Sequence, residues 1–202
     1  MGKQVSITGG RIEGKKMKTG LILVDIQNDY FESGRMQLVG MEAASAKANK
    51  LLAFFRDSRW PTFHIQHLAV SEGATFFLPD TKGAQIHDSV KPQSDDLVIQ
   101  KHYPNSFRET PLLNALKNAG VERVVICGAM SHMCIDATTR AAADSGFGCT
   151  VIHDGCATRN LEFGGKKVLA EDVHASFMAA LDAAYAKVKS CEEFISKIKN
   201  DG

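Results

Sequence analysis

Three residues with chemically reactive side chains follow three different apolar segments of the sequence. Asp25 ends the run "LILVD", Lys101 ends "DLVIQK", and Cys134 comes shortly after "RVVICG". Short runs that are apolar at every position are typical of strands in a parallel sheet, which are buried on both faces. Ligands of open α/β sheets bind at the carboxyl ends of the strands. We therefore expect a carboxylate, an ammonium and a thiol to meet at one edge of a sheet.

This set of groups could hydrolyse an amide. Cys134 falls in the predicted first turn of a helix, where unpaired N–H groups and the helix dipole favour an anion such as a thiolate. Asp25 could accept the thiol proton and pass it to a leaving amine, while Lys101 adds positive charge beside the sulfur. The same N–H groups could stabilise the oxyanion of a tetrahedral intermediate. Loss of the amine would leave a thioester for water to hydrolyse.

Each of the three residues also has a structural interpretation. A free cysteine is often a small buried hydrophobe, an aspartate at a strand end can cap the next turn, and lysines mostly lie on the surface. An activated Cys134 could also sense oxidants, with Cys127 as a weak candidate for its resolving cysteine. A sensor has no use for a positioned base, so the presence of Asp25 and Lys101 favours catalysis.

The pattern along the chain predicts the elements that position these residues. We expect strands at 21–26, 61–70, 96–101, 123–128 and 148–155, and helices at 41–58, 110–120, 133–145, 166–188 and 191–199. Residues 71–94 have no clear period and are predicted to form a long surface loop, which in a compact domain is often functional. The alternation of strands and helices predicts an α/β fold with a mainly parallel sheet covered on both faces.

The composition is that of a globular protein. The chain has 202 residues, of which 44% are hydrophobic and 23% charged, which suits one domain. The net charge of +1 is spread along the sequence and disfavours nucleic-acid binding. No apolar run approaches the roughly 20 residues of a membrane span, and no signal peptide is recognisable. Five cysteines without a C-x-x-C spacing are expected to be free thiols of a cytoplasmic protein.

The first residues differ from the rest of the chain. Residues 1–16 are polar and glycine-rich, and "IEG" followed by a basic residue resembles a protease-site linker. Met17 is a natural position for a start. We therefore predict that residues 1–16 are an added or dispensable extension and that residues 17–202 form a single domain.

Three segments together resemble a known family. "LILVDIQNDYF", "QKHYPNSFRET" and "VVICGAMSHMCIDATTRAAADSGF" are similar to the motifs of the isochorismatase-like cysteine hydrolases, which include nicotinamidases, N-carbamoylsarcosine amidase and streptothricin hydrolase. The similarity extends over residues 19–188. It implies a three-layer α/β/α sandwich around a parallel sheet of about five or six strands. By the same resemblance Asp25 is the general base, Lys101 its charge partner and Cys134 the nucleophile.

The resemblance also implies how the substrate oxygen would be held. The family has a non-proline cis peptide bond just before the nucleophile, which maps to Ala129–Met130. Such bonds are rare in proteins and are associated with active sites. The amides of Met130 and Cys134 would then form the oxyanion hole.

The branch of the family is indicated by Cys134 and by two histidines. Isochorismatases of siderophore pathways lack the nucleophilic cysteine, so Cys134 argues against that reaction. Nicotinamidases bind a metal through a D-x-H motif and a second histidine, whereas the aligned stretch here reads "HIQHLAV". His64 and His67 are three residues apart and should point to opposite faces of a strand. We expect both to be satisfied structural histidines, with no metal and no cofactor; bound zinc would instead support a metal-assisted, nicotinamidase-like enzyme.

The motifs look most like the branch that contains streptothricin hydrolase. We therefore expect a metal-independent hydrolase of C–N bonds in a small amide, lactam or carbamoyl compound, assembled as a homo-oligomer as is common in the family. Candidate substrate-binding residues, which could equally pack the loops or the helix start, are Tyr30, Phe31, Tyr103, Asn105, Phe107 and His132. Substrate choice is expected to depend on residues 71–94.

Overall fold

The computed structural model describes residues 18–200, so the predicted extension at 1–16 lies outside the described residues. The strands are β1 (Thr19–Val24), β2 (Thr62–His67), β3 (Leu97–Lys101), β4 (Arg123–Ala129), β5 (Gly148–Ala157), β6 (Leu161–Phe163), β7 (Lys166–Val168) and β8 (Lys187–Lys189). The α-helices are α1 (Met41–Asp57), α2 (Leu112–Asn118), α3 (Asp136–Asp144), α4 (Ala170–Ala184) and α5 (Cys191–Asn200). A π-helical turn, Ser131–Ile135, leads directly into α3.

Six of the strands form one sheet in the order β3-β2-β1-β4-β5-β8, and all neighbours are parallel. The chain moves outwards from β1 through β2 to β3 on one side, and from β4 through β5 to β8 on the other. The direction of progression therefore reverses between β1 and β4. Such a reversal opens a crevice at the carboxyl ends of the two strands, which is the usual ligand site of open α/β sheets.

The sheet is covered by helices on both faces, as predicted. Successive side chains of a strand point to opposite faces, and β1 shows this alternation in a fully buried form. Leu21 and Leu23 pack into a core cluster with α1 and α5, whereas Ile22 and Val24 pack into a second cluster with α2, α3 and α4. The three-layer α/β/α sandwich is confirmed. Burial on both faces also explains why β1 is apolar at every position from Leu21 to Val24.

The predicted single helix over 166–188 is wrong at both ends. Residues of β7 pair antiparallel with β6 in a hairpin whose turn, Gly164–Gly165, has φ values of 57° and 74°. Glycine tolerates this left-handed conformation, which a right-handed helix cannot contain. The chain therefore turns at these two glycines before the helix begins. The helix is limited to α4, and β8 adds to the sheet beside β5. Both short strands, β7 (KKV) and β8 (KVK), consist of two lysines and one valine, so they lack the apolar run by which the longer strands are recognised.

The long excursion predicted over 71–94 is confirmed. Between β2 and β3 the described chain contains only two 3₁₀ turns, Lys82–Ala84 and Asp88–Val90.

No helix in the described part of the chain has the length and apolar character needed to cross a membrane.

Gly128 allows β1 and β4 to come together at the crevice. It lies opposite Val24 in the sheet and has a φ of 126°. A Cβ atom at this position would lie 2.0 Å from the carbonyl oxygen of Val24. A side chain would therefore have to separate the two strand ends that carry Asp25 and the segment leading to Cys134.

We predict that Gly128→Ala destabilises the fold by about 3 kcal/mol or more, because it adds a backbone clash to a strained φ. The matched control is Gly73→Ala, at a φ of 79° with no atom within 4 Å of the added Cβ. The control should lose only about 1 kcal/mol, the cost of a left-handed alanine. Urea unfolding of the two variants measures the difference, and equal losses would contradict this explanation of Gly128.

Candidate active site

Asp25 is the residue that follows β1, and its carboxylate is completely buried. Its φ of 51° lies in the left-handed region, which costs a non-glycine residue roughly 1–2 kcal/mol. The turn is held by hydrogen bonds from the Asp25 amide to Ile65 O, at 3.1 Å, and from the Gln27 amide to Asp25 O, at 3.0 Å. Asp25 Oδ1 accepts no hydrogen bond from the described protein, so it is free to take a proton.

Lys101 ends β3 and places its ammonium against Asp25. Its Nζ lies 2.7 Å from Asp25 Oδ2, 3.2 Å from His67 Nδ1 and 3.1 Å from the carbonyl oxygen of Tyr103. The carbonyl oxygen of Pro104, at 3.4 Å, is a fourth and longer contact, so each of the three N–H donors of the lysine has an acceptor within reach. Burial by itself lowers the pKa of Lys101, but attraction to Asp25 and to Cys134 raises it overall. Lys101 therefore stays charged although only 1% of it is exposed.

Cys134 lies in the π-helical turn that follows β4, with 4% of its surface exposed. Two amides of the turn, those of Met133 and Ile135, donate to the same carbonyl oxygen, Met130 O, at 3.0 and 3.2 Å. The peptide bond between Ala129 and Met130 is cis. Met130 and Cys134 thus belong to the same tight turn at the crevice, and their part in an oxyanion hole stays a prediction.

The surroundings of Cys134 oppose ionisation of its thiol. Burial raises the pKa of the thiol, the carboxylate of Asp25 raises it further, and Lys101 lowers it only in part. The net effect is a pKa far above the ordinary value, because lost hydration and a nearby anion outweigh the ammonium. With its pKa raised, the sulfur of Cys134 rests as a thiol, so a base such as Asp25 has to accept its proton before or during attack. Stabilisation of the thiolate by the helix start stays a prediction.

His67 is a fourth member of this cluster. It ends β2 directly opposite Lys101 in the sheet, and its Nδ1 lies 3.9 Å from Asp25 Oδ2. Burial lowers the pKa of His67 despite the attraction of Asp25, so the imidazole is neutral at pH 7 and its Nδ1 can accept from the lysine. The sequence predicts only a satisfied structural histidine at position 67 and does not indicate its contact with the reactive groups. The pairing of the last residues of β2 and β3 was the available signal.

His64 points to the other side of the sheet, as the alternation along β2 predicts. Its Nε2 lies 3.4 Å from Asp96 Oδ2, and the ring is almost completely buried. Asp96 is thus a polar neighbour of the ring, although neither ring nitrogen meets a partner in hydrogen-bond geometry within the described chain. The interpretation of His64 as a satisfied structural histidine stays a prediction. Burial lowers the pKa of His64 and keeps the ring neutral, which limits the cost of leaving it unpaired.

The cluster contains a possible set of metal ligands. One ligand atom each of Asp25, His67 and Cys134 lies within 4.8 Å of the others. However, the ammonium of Lys101 contacts both Asp25 and His67 from within this set. A metal would have to displace a buried cation and remove the thiol proton, so the residues fit a bound ammonium and do not fit a metal ion.

Two of the predicted substrate-binding residues lie close to the cluster, and a third, His132, lies on the turn that carries Cys134. Burial, together with the nearby Cys134 and Asp25, raises the pKa of Tyr30 well above its usual value, so this hydroxyl is a neutral donor at the site. Tyr103 contributes its carbonyl to Lys101. The ring of His132, two residues before the nucleophile, is half-buried, and its Nδ1 lies 2.6 Å from Thr158 Oγ1.

The other three make contacts that account for them without a ligand. Phe31 stacks on His87, with ring centroids 3.6 Å apart. Asn105 Oδ1 accepts the amide of Phe107 at 2.8 Å, as in an Asx turn. The Phe107 ring packs on Phe147 at 6.4 Å. Their role as pocket walls stays a prediction.

The polar residues after Asp25 attach the excursion over 71–94 to the crevice. The Gln27 side chain accepts the His67 amide at 2.7 Å and donates to His67 O at 2.8 Å, which extends the pairing of β1 with β2. Asp29 Oδ2 accepts the amide of Phe77 at 2.6 Å. A Cβ on Gly83 would lie 2.1 Å from Asp29 Oδ1, so only glycine fits against this carboxylate. The run "DIQND" thus both supplies the carboxylate and anchors the loop beside it.

Comparison with known proteins agrees with this geometry. Residues 19–193 match the model of the isochorismatase domain family. The isochorismatase family protein YddQ of Bacillus subtilis is 50% identical over 179 residues, which are 89% of this chain and 99% of YddQ. Streptothricin hydrolase of Streptomyces noursei is 30% identical over 141 residues, which are 70% of this chain and 55% of that protein.

A solved structure shows the same fold. The isochorismatase hydrolase of Oleispira antarctica superposes with a TM-score of 0.86 and 49% sequence identity, covering 93% of this chain and 100% of that chain. The resemblance inferred from three short motifs is confirmed over nearly the whole described domain. The chain belongs to the isochorismatase family of hydrolases.

Proposed function

We propose that this protein is a cysteine-dependent amidohydrolase that cleaves a C–N bond in a small amide, lactam or carbamoyl compound through a thioester. The observation that supports the proposal is the buried contact of Asp25 and Lys101, 2.7 Å apart, beside the thiol of Cys134. Asp25 is in contact with the ammonium of Lys101, and one of its oxygens lies within 4.8 Å of the Cys134 sulfur. A general base, an ammonium and a nucleophile placed in this way can act on the same substrate carbonyl. The relative named streptothricin hydrolase supports hydrolysis by this branch of the family.

In the first step Asp25 acts as the base. As the sulfur of Cys134 attacks the carbonyl carbon, the thiol proton passes to Asp25 Oδ1, which accepts no hydrogen bond from the described protein in the resting state. Transfer of the proton during attack is required because the pKa of Cys134 is raised. When Asp25 takes the proton, the negative charge moves from its carboxylate to the sulfur of Cys134, and Lys101 stabilises the charge there.

The substrate oxygen becomes an oxyanion that accepts hydrogen bonds from the amides of Met130 and Cys134. Collapse of the tetrahedral intermediate breaks the C–N bond, and Asp25 returns its proton to the leaving nitrogen. The product amine departs and leaves an acyl thioester on Cys134. Asp25, again a carboxylate, then takes a proton from water, whose oxygen attacks the thioester. Release of the acid returns that proton to the sulfur.

We predict that wild-type protein hydrolyses at least one compound of a panel holding nicotinamide, pyrazinamide, N-carbamoyl amino acids and a streptothricin-type lactam. Cys134→Ala should lower the rate by about 10³-fold or more, because the covalent step is lost. Ammonia release measures the amides, and mass spectrometry measures opening of the lactam.

Cys149→Ala is the matched control for this panel, since Cys149 is a buried cysteine at the opposite end of the sheet and should leave the rate unchanged. A chelator should have no effect on the wild-type rate. Equal activity of Cys134→Ala and wild type would contradict the proposed mechanism, and loss of activity with the chelator would favour the metal-assisted alternative.

A second prediction concerns the thiol itself. Asp25→Asn should lower the pKa of Cys134, because the carboxylate that opposes ionisation is gone while Lys101 remains. Lys101→Met should move the pKa in the opposite direction. The ultraviolet absorbance of the thiolate, taken as the difference from the Cys134→Ser version of each protein, gives the titration curve.

Asp144→Asn, at the far end of α3, removes a carboxylate remote from the thiol and should leave the curve in place. A curve that is unchanged in Asp25→Asn, or shifted to higher pH, would show that Asp25 does not hold the thiol in its protonated form.

A further inference from the structure

The turn that carries the nucleophile is held from outside the crevice through Ser131. Ser131 directly follows Met130, whose amide is proposed to bind the substrate oxygen, and it is completely buried. Its Oγ lies 3.3 Å from the carbonyl oxygen of Ala157 at the end of β5, and 2.9 Å from His174 Nδ1 on α4. The position of Ser131 is thus determined by one strand end and one helix.

Ala157 O, Ser131 Oγ and His174 Nδ1 can all be satisfied by only one arrangement of protons. A carbonyl can only accept, so the hydroxyl proton of Ser131 goes to Ala157 O. The hydroxyl oxygen is then an acceptor, and His174 Nδ1 must carry a proton and donate it. Burial, and the nearby His153, lower the pKa of His174, so the ring is neutral and this arrangement corresponds to its Nδ1–H tautomer.

The same face of α4 holds the next residue of the turn. Phe177 is three residues after His174 and therefore lies beside it on the helix surface. Its ring makes an edge contact with His132, at 6.1 Å between centroids, while His132 also bonds to Thr158. Ser131 and His132, two consecutive residues of the turn, each contact one residue of α4. Each also contacts a residue at the end of β5 or directly after it, Ala157 or Thr158.

We propose that His174 is a positioning residue, which through Ser131 fixes the direction of the Met130 amide and so the oxyanion hole. The inference rests on the proposed function, because it presumes that the Met130 amide binds the substrate oxygen. His174 itself makes no contact with the reacting atoms. Its loss should weaken the binding of the transition state and leave the binding of the intact amide nearly unchanged.

The test compares His174→Ala, which removes the donor, with His174→Asn, whose amide N–H can occupy the place of Nδ1–H. Ser131→Ala removes the other partner, and the double variant completes a cycle. His153→Ala is the matched control, since His153 lies beside His174, at 6.4 Å between ring centroids, without bonding to Ser131. For each variant kcat and KM are measured on an amide that the wild type hydrolyses. Binding of the corresponding aldehyde, which adds to a thiol as a tetrahedral adduct, is measured as well.

We expect His174→Ala to lower kcat by roughly tenfold to a hundredfold with KM within about twofold, and to weaken aldehyde binding to a similar extent. His174→Asn should recover most of the loss, His153→Ala should resemble the wild type, and the Ser131→Ala and His174→Ala losses should not add. Thermal unfolding of each variant shows whether it is folded, and His174→Asn and Ser131→Ala still test the inference if His174→Ala is not.

Three results would overturn the inference: an unchanged kcat in His174→Ala, equal losses in His174→Ala and His174→Asn, or a change confined to KM. If instead the wild type hydrolyses no amide at all, the proposed function itself fails and the inference with it. An active wild type with any of the three results removes the inference alone.

Discussion

The buried ion pair between Asp25 and Lys101 is the interaction on which the rest of the site depends. Both groups are almost completely removed from water, at 0% and 1% exposure, and buried charges are costly unless they are paired and hydrogen-bonded. Lys101 meets this requirement with Asp25, His67 and the carbonyl oxygens of Tyr103 and Pro104, whereas Asp25 leaves Oδ1 without a hydrogen bond from the described protein. Removing either charge would leave the other unpaired, at a cost of about 3–5 kcal/mol. The unsatisfied carboxylate oxygen is also what makes Asp25 able to accept a proton.

The sheet topology brings these charges to the thiol. Asp25 follows β1 at the centre of the sheet, Lys101 ends the edge strand β3, and Cys134 follows β4 on the other side of β1. Their meeting depends on two unusual backbone positions, the left-handed Asp25 and the close approach of Gly128 to Val24. Strain of this kind persists where the surrounding structure determines it fully, and it is concentrated at functional sites.

Much of this arrangement could be predicted from the sequence, because the signals were local. The apolar run of β1 and the residues after each strand placed Asp25, Lys101 and Cys134 at one edge, and three motifs indicated the family. The contact of Ser131 with His174 could not be predicted, since it joins residues 43 positions apart through a single hydroxyl. The rise in the pKa of Cys134 could not be predicted either, because it depends on how deeply the fold buries the sulfur and on its closeness to Asp25.

The most direct test of the central claim, that Cys134 carries the acyl group, is rapid acid quench of a reaction with a hydrolysed amide, followed by peptide mass spectrometry. We predict a peptide containing Cys134 that is heavier by the acyl group of the substrate, formed together with release of the amine. The adduct should disappear when hydroxylamine, which cleaves thioesters, is added. Steady hydrolysis of the amide with no adduct at any quench time, or with an adduct on another residue, would contradict it.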